Sequence, residues 1–89
     1  MDPKTHDQLV SRASHLPHVL SSLLASYVLD PKADPLQKSL CASGFRDTTR
    51  IAEGDVTMWR DILLQNNQQV IETLDEYLDE LKGFRDLLA

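Results

Sequence analysis

Toward the C-terminus, Val70, Ile71, Leu74, Tyr77, Leu78, Leu81, Phe84 and Leu88 recur at three- and four-residue steps. That period predicts an amphipathic helix over residues 67–88. Glu72, Asp75, Glu76, Asp79 and Glu80 fill the intervening positions and read as a solvated face. The N-terminal third is patterned differently. Leu9, Leu16, Leu20, Leu23 and Tyr27 make one apolar stripe, while Ser11, Ser14, His15, His18, Ser22 and Ala25 occupy the opposite side. From Ala13 to Leu29 that side carries no Asp, Glu, Lys or Arg, which is not how a solvent-facing surface is built. A helix over 3–29 would be about 40 Å long, more than an 89-residue chain can wrap. A second copy can, so the pattern predicts an all-α fold in an intertwined homodimer.

Punctuation along the chain sets the remaining elements. Asp2-Pro3 and Asp34-Pro35 read as N-cap followed by first helical residue, where the missing N–H of proline costs nothing. Asp30-Pro31 closes the segment before it. Gly54-Asp55 opens a third helix, and Asn66 with Gln69 has capping-box spacing before the last one. The predicted helices are 3–29, 35–42, 56–64 and 67–88, with a helical turn near 47–52. Met58, Trp59, Ile62 and Leu63 are assigned to the core face of the third helix. Pro17, inside the first, should free the carbonyl of Ala13 and bend the axis between His15 and His18.

Composition narrows the function classes. A net charge of -5 argues against nucleic acid or an anionic membrane as partner. The single cysteine, Cys41, excludes an intrachain disulfide framework and fits a reducing compartment. No secretory signal or membrane-length apolar run is visible, so a cytoplasmic location is expected. Gly44, Gly54 and Gly83 lie too far apart for a phosphate-cradling loop, so no nucleotide-binding unit is expected here.

Two groups could carry chemistry. His15 and His18 share a face, either as interior histidines satisfied by serines or backbone, or with one donating to a polar ligand. A metal site built from His6, His15, His18 and Cys41 lacks any paired ligand spacing and is not expected. The stretch GFRDTTRIAEGD, residues 44–55, holds Arg46, Asp47 and Arg50. On a helix Asp47 and Arg50 could pair, whereas the two arginines at i and i+4 would repel mildly. Spacing leaves two readings open: a surface ion pair, or an arginine held for an anion, which its planar fork suits.

HDQLVSRASHLPHVL (6–20) followed by GFRDTTRIAEGDVTMWRDILLQNN (44–67) closely resembles the C-terminal dimerisation domain of prephenate dehydrogenases. The shared elements are His6-Asp7, Ser14 to His18, Gly44 to Ala52, Trp59 to Ile62, and Asn66, and the resemblance runs over essentially all of residues 1–89. Ala42 and Ser43 stand where many members have further glycines, which would stiffen the approach to Phe45. The resemblance implies a helical half of an enzyme of tyrosine biosynthesis that oxidatively decarboxylates prephenate, or arogenate, with NAD or NADP. The cofactor and the catalytic histidine would belong to an N-terminal Rossmann domain absent here, leaving this chain with no catalytic residue, no bound cofactor and no activity alone. It further implies that Arg50 binds a substrate carboxylate, that Asp47 is the acid paired with it, and that His18 lines the pocket for substrate or inhibitory tyrosine. His15, Arg46 and Trp59 are nearby motif positions. The competing reading is a non-catalytic, self-associating helical protein that keeps the motif for packing.

Overall fold

The computed structural model describes all 89 residues, as helices and short turns without strands. The all-α expectation holds. The first rod comprises α1 (Pro3–Val10), a π-helical turn (Ser11–His15) and α2 (Leu16–Val28), running on without a break. α3 (Pro35–Ser39) and α4 (Ser43–Thr49) follow, then a 3-10 turn (Arg50–Glu53), α5 (Val56–Gln65) and α6 (Asn67–Leu88). The π turn packs on α6, while α2 packs on α4 and the 3-10 turn.

All three predicted aspartate caps form. Asp2 accepts from the Thr5 N–H at 2.9 Å, Asp34 from Leu36 at 2.9 Å and Asp55 from Met58 at 3.0 Å. Asn66 does not cap α6 with its side chain. Its amide is drawn away to α1 and His15, and the capping-box expectation fails for that reason. The third-helix core is only partly right, since Met58 is exposed while Trp59, Ile62 and Leu63 are half-buried.

Two boundaries also differ. α3 stops at Ser39, not 42, because Ala42 must turn extended to lead into α4. α4 begins at Ser43, ahead of the expected turn at 47. Glycine and threonine are weak helix formers, which hides this helix from a propensity reading. The hydroxyls of Thr48 and Thr49 bond back to the carbonyls of Gly44 and Phe45, both at 2.8 Å.

Around Pro17 the chain responds with a widened turn. Leu16 N–H reaches back to the Ser11 carbonyl, five residues away, just before the proline that has no N–H to offer.

The interior of the single chain is polar. Ser11, His15, His18, Ser21 and Thr73 are buried, and Val70 is the one buried apolar residue. Ser11 donates to the Gln8 carbonyl at 2.7 Å, so it must accept from Thr73 across the helix pair, also at 2.7 Å. Beside them Arg12 grips Glu76 through both carboxylate oxygens at 2.8 and 2.7 Å, so one member of the acidic run is an ion-pair partner. The apolar stripes point elsewhere: Leu9, Leu23 and Tyr27 of the first rod and Leu78, Leu81 and Phe84 of α6 are all exposed.

Bulk dimensions agree. The accessible surface is 7065 Å², against about 5,300 Å² for a compact monomer of this mass. The radius of gyration is 15.1 Å, against about 12 Å for such a chain.

Candidate functional site

The site is assembled where the π turn and α2 meet the 3-10 turn and the start of α5. Asp55 caps α5 and fixes where that helix begins, which places Trp59 one turn in, facing back toward α2. The indole lies flat on the His18 imidazole, ring centroids 3.8 Å apart and planes 6° apart. His15 meets the same indole at right angles, with centroids at 6.1 Å and planes at 87°.

Gly54 makes room for this. A methyl group in place of its hydrogen would sit 3.0 Å from Trp59 Nε1 and 3.1 Å from Cδ1. The glycine has ordinary extended geometry, so it is required for close approach and not for its backbone angles.

Burial disfavours a charge on both histidines and holds each below the ordinary imidazole range. The Ile51 carbonyl beside His18 and the Asp7 carboxylate near His15 act weakly in the opposite sense. His18 Nδ1 is buried without a hydrogen-bond partner. His15 Nδ1 faces the Asn66 side-chain amide at 3.3 Å, and that amide also donates to the Asp7 carbonyl at 2.9 Å. The interior reading is therefore met for His15, by Asn66 and not by a serine, and not for His18 Nδ1.

Arg50 opens the 3-10 turn on the rim of a cavity of about 420 Å³, with Ser14, Pro17, His18, Gly54 and Trp59 in its walls. A second, more apolar cavity of about 560 Å³ shares His18, Gly54 and Trp59 and extends along Leu23, Val56 and Leu63. His18, Gly54 and Trp59 thus form a common wall between two hollows.

No carboxylate lies within ion-pair distance of Arg50, Arg46 or Asp47's neighbouring guanidiniums; the ion pairs of the chain are elsewhere. α4 ends at Thr49 and tightens into the 3-10 turn, so the helical spacing that would pair Asp47 with Arg50 is not continued. All three side chains are exposed. No group of three His, Cys, Asp or Glu residues comes together in a way that could hold a metal.

The structure therefore brings Arg50, His18, His15 and Trp59 together, while Arg46 and Asp47 lie outside the cavity lining. It adds two residues whose part is not legible locally, Gly54 and Asn66. Gly54 carries the signal of a helix start only; that an indole five residues on packs against it is a tertiary fact. Asn66 has the spacing of a cap, and only the fold reveals its partners 51 and 59 residues away.

Residues 2–89 match the family described as prephenate dehydrogenase, dimerization domain. A prephenate dehydrogenase of Lactococcus lactis is 44% identical over 85 residues, 91% of this chain and 24% of that protein. Among solved structures, prephenate dehydrogenase from A. aeolicus, in complex with hydroxyphenyl propionate and NAD+, superposes with a TM-score of 0.85 at 33% identity. It is covered over 31% of its length by 99% of this chain. Synechocystis arogenate dehydrogenase gives 0.88 at 30% identity, over 99% of this chain and 33% of that one. The chain spans about a quarter of the length of the curated prephenate dehydrogenases it matches. No helix is long and apolar enough to cross a membrane. With residues 2–89 matched by the family and the helical architecture shared with its solved structures, the chain belongs to the dimerisation-domain family of prephenate dehydrogenases.

Proposed function

We propose that this chain is the helical half of a prephenate or arogenate dehydrogenase, where it forms an intertwined homodimer and contributes an anion-binding wall to the substrate pocket. The observation that carries the pocket assignment is Arg50: a guanidinium without an ion-pair partner, on the rim of a cavity walled by the His18–Trp59 stack. A guanidinium left unpaired beside a flat aromatic wall suits a ring-bearing carboxylate, whose oxygens it can take in two parallel hydrogen bonds. His18 presents the ring wall, for substrate or for inhibitory tyrosine. Asp47, one turn away and unbonded to Arg50, contributes only longer-range attraction that biases where the arginine points.

Hydride transfer belongs to a bound NAD or NADP in the remaining part of the enzyme. The residues here offer no phosphate cradle and would position substrate without making or breaking bonds. The partners are a second copy of the chain and the nucleotide-binding domain of the same enzyme.

In the complete enzyme, Arg50→Gln should raise the KM for substrate by about tenfold to a hundredfold, the loss expected for one charge-assisted hydrogen-bonded contact. The dimer should stay intact by sedimentation. Unchanged KM together with a dissociated dimer would reject the pocket assignment and favour a motif kept for packing.

A further inference from the structure

Asn66 stands at the joint between α5 and α6, yet its side chain serves neither helix. The Asp7 main-chain carbonyl, 2.9 Å away, can only accept a hydrogen bond, so the NH₂ end of Asn66 must face it. That same nitrogen lies 3.3 Å from His15 Nδ1. An NH₂ group has no lone pair to give, so His15 Nδ1 has to be the acceptor. Its proton then resides on Nε2 and the ring is neutral. Both amide hydrogens of Asn66 are spent in this way, one on α1 and one on the π turn.

We infer that Asn66 is a positioning residue for the pocket: it locks His15 as the neutral Nε2–H tautomer, and His15 in turn holds Trp59 flat against His18. The geometry is continuous from Asn66 to the cavity wall. His15 is buried, crosses Trp59 at right angles and leaves the indole face to His18. The widened turn at Ser11–His15 ends on His15 itself.

The arrangement is sensitive to a proton. A hydrogen added at Nδ1 would confront the Asn66 NH₂, donor against donor, and the contact would open. The groups that could tune this are few. His6 and Asp7 of α1 are the titratable neighbours, while α5 and the α5–α6 joint present Ile62, Gln65, Asn66 and Trp59, none of which titrates. Burial already holds the His15 value below the usual 6.5. The lock is therefore complete above that value and is lost as pH falls through the depressed one.

This inference rests on the pocket assignment above, and its test separates the two. In the full-length dimer, Asn66→Asp replaces the donor with a carboxylate that stabilises protonated His15. The acid limb of the kcat/KM profile should move up by about one pH unit. KM at neutral pH should rise several-fold, with kcat within about twofold. An intact Asn66→Asp dimer with the wild-type profile would overturn the inference. If Asn66→Asp does not fold, wild-type enzyme with isotope-labelled histidine decides the matter by NMR. His15 should show a bare Nδ1 and a protonated Nε2, and a proton on Nδ1 at neutral pH would overturn the lock. A normal Arg50→Gln KM would sink the pocket assignment while leaving the tautomer result standing.

Discussion

Gly54 is the residue on which the site's dimensions depend most directly. Adding one methyl group there would intrude to 3.0 Å from the indole nitrogen of Trp59, with His18 Cε1 next at 3.6 Å. The His18–Trp59 stack and the first turn of α5 would have to yield. Gly54→Ala should therefore weaken substrate binding with little change in the dimer, seen as a KM several-fold higher in the full enzyme; wild-type kinetics would show that the indole moves freely. The same neighbourhood shows what a sequence can reveal at this scale. Arg50, His15 and His18 stand out by type and spacing in an acidic chain, whereas Trp59 reads as a core residue and becomes a candidate only through the family resemblance. Their mutual arrangement is not legible there. Whether Asp47 pairs with Arg50 depends on a helix ending at Thr49, and Asn66 looks like a cap until the fold supplies competing acceptors.

At the scale of elements, strong local signals were read correctly and weak ones were not. Asp2, Asp34 and Asp55 cap their helices because a short carboxylate before a helical start satisfies orphan N–H groups whatever the surroundings. α4 was underestimated because its threonines and glycine give little propensity and its stability comes from packing on α2. α5 is the element with most at stake, since its cap sets the position of Trp59. Asp55→Ala should cost about 1 kcal/mol, measurable as a lowered unfolding midpoint, and should also raise KM because the first turn of α5 frays. Loss of stability with unchanged KM would mean that packing alone holds Trp59 in place.

For the whole molecule, the sequence pattern predicts two non-solvent faces on the first rod, and the single chain packs one of them internally. The structure adds which face the chain keeps for itself. The serine and histidine side is packed internally, while Leu9, Leu23, Tyr27, Leu78, Leu81 and Phe84 are left outside. An excess of roughly 1,800 Å² over a compact monomer is of the order that one partner buries in an obligate dimer. The isolated chain should sediment as a dimer at micromolar concentration. A folded monomer under those conditions would remove the case for intertwining. Length and pattern suggest a second copy as the cover for the stripes, but they do not reveal the pairing of α6 with the π turn, because it depends on the Ser11–Thr73 contact.

That contact has a consequence for how the fold selects its register. Apolar burial is tolerant: leucines on a long helix find comparable neighbours after sliding by one turn. Two buried hydroxyls do not. Shifting α6 by a turn along the first rod would separate Ser11 from Thr73 and Arg12 from Glu76. It would strand the buried Thr73 hydroxyl at a cost of about 1–3 kcal/mol, while Ser11 keeps its bond to the Gln8 carbonyl and the exposed Arg12–Glu76 pair adds little. Inside the chain, hydrogen bonds therefore decide which alignment is correct, while area buried between copies would make that alignment favourable. Selection and driving force would then fall to opposite faces of the same helix.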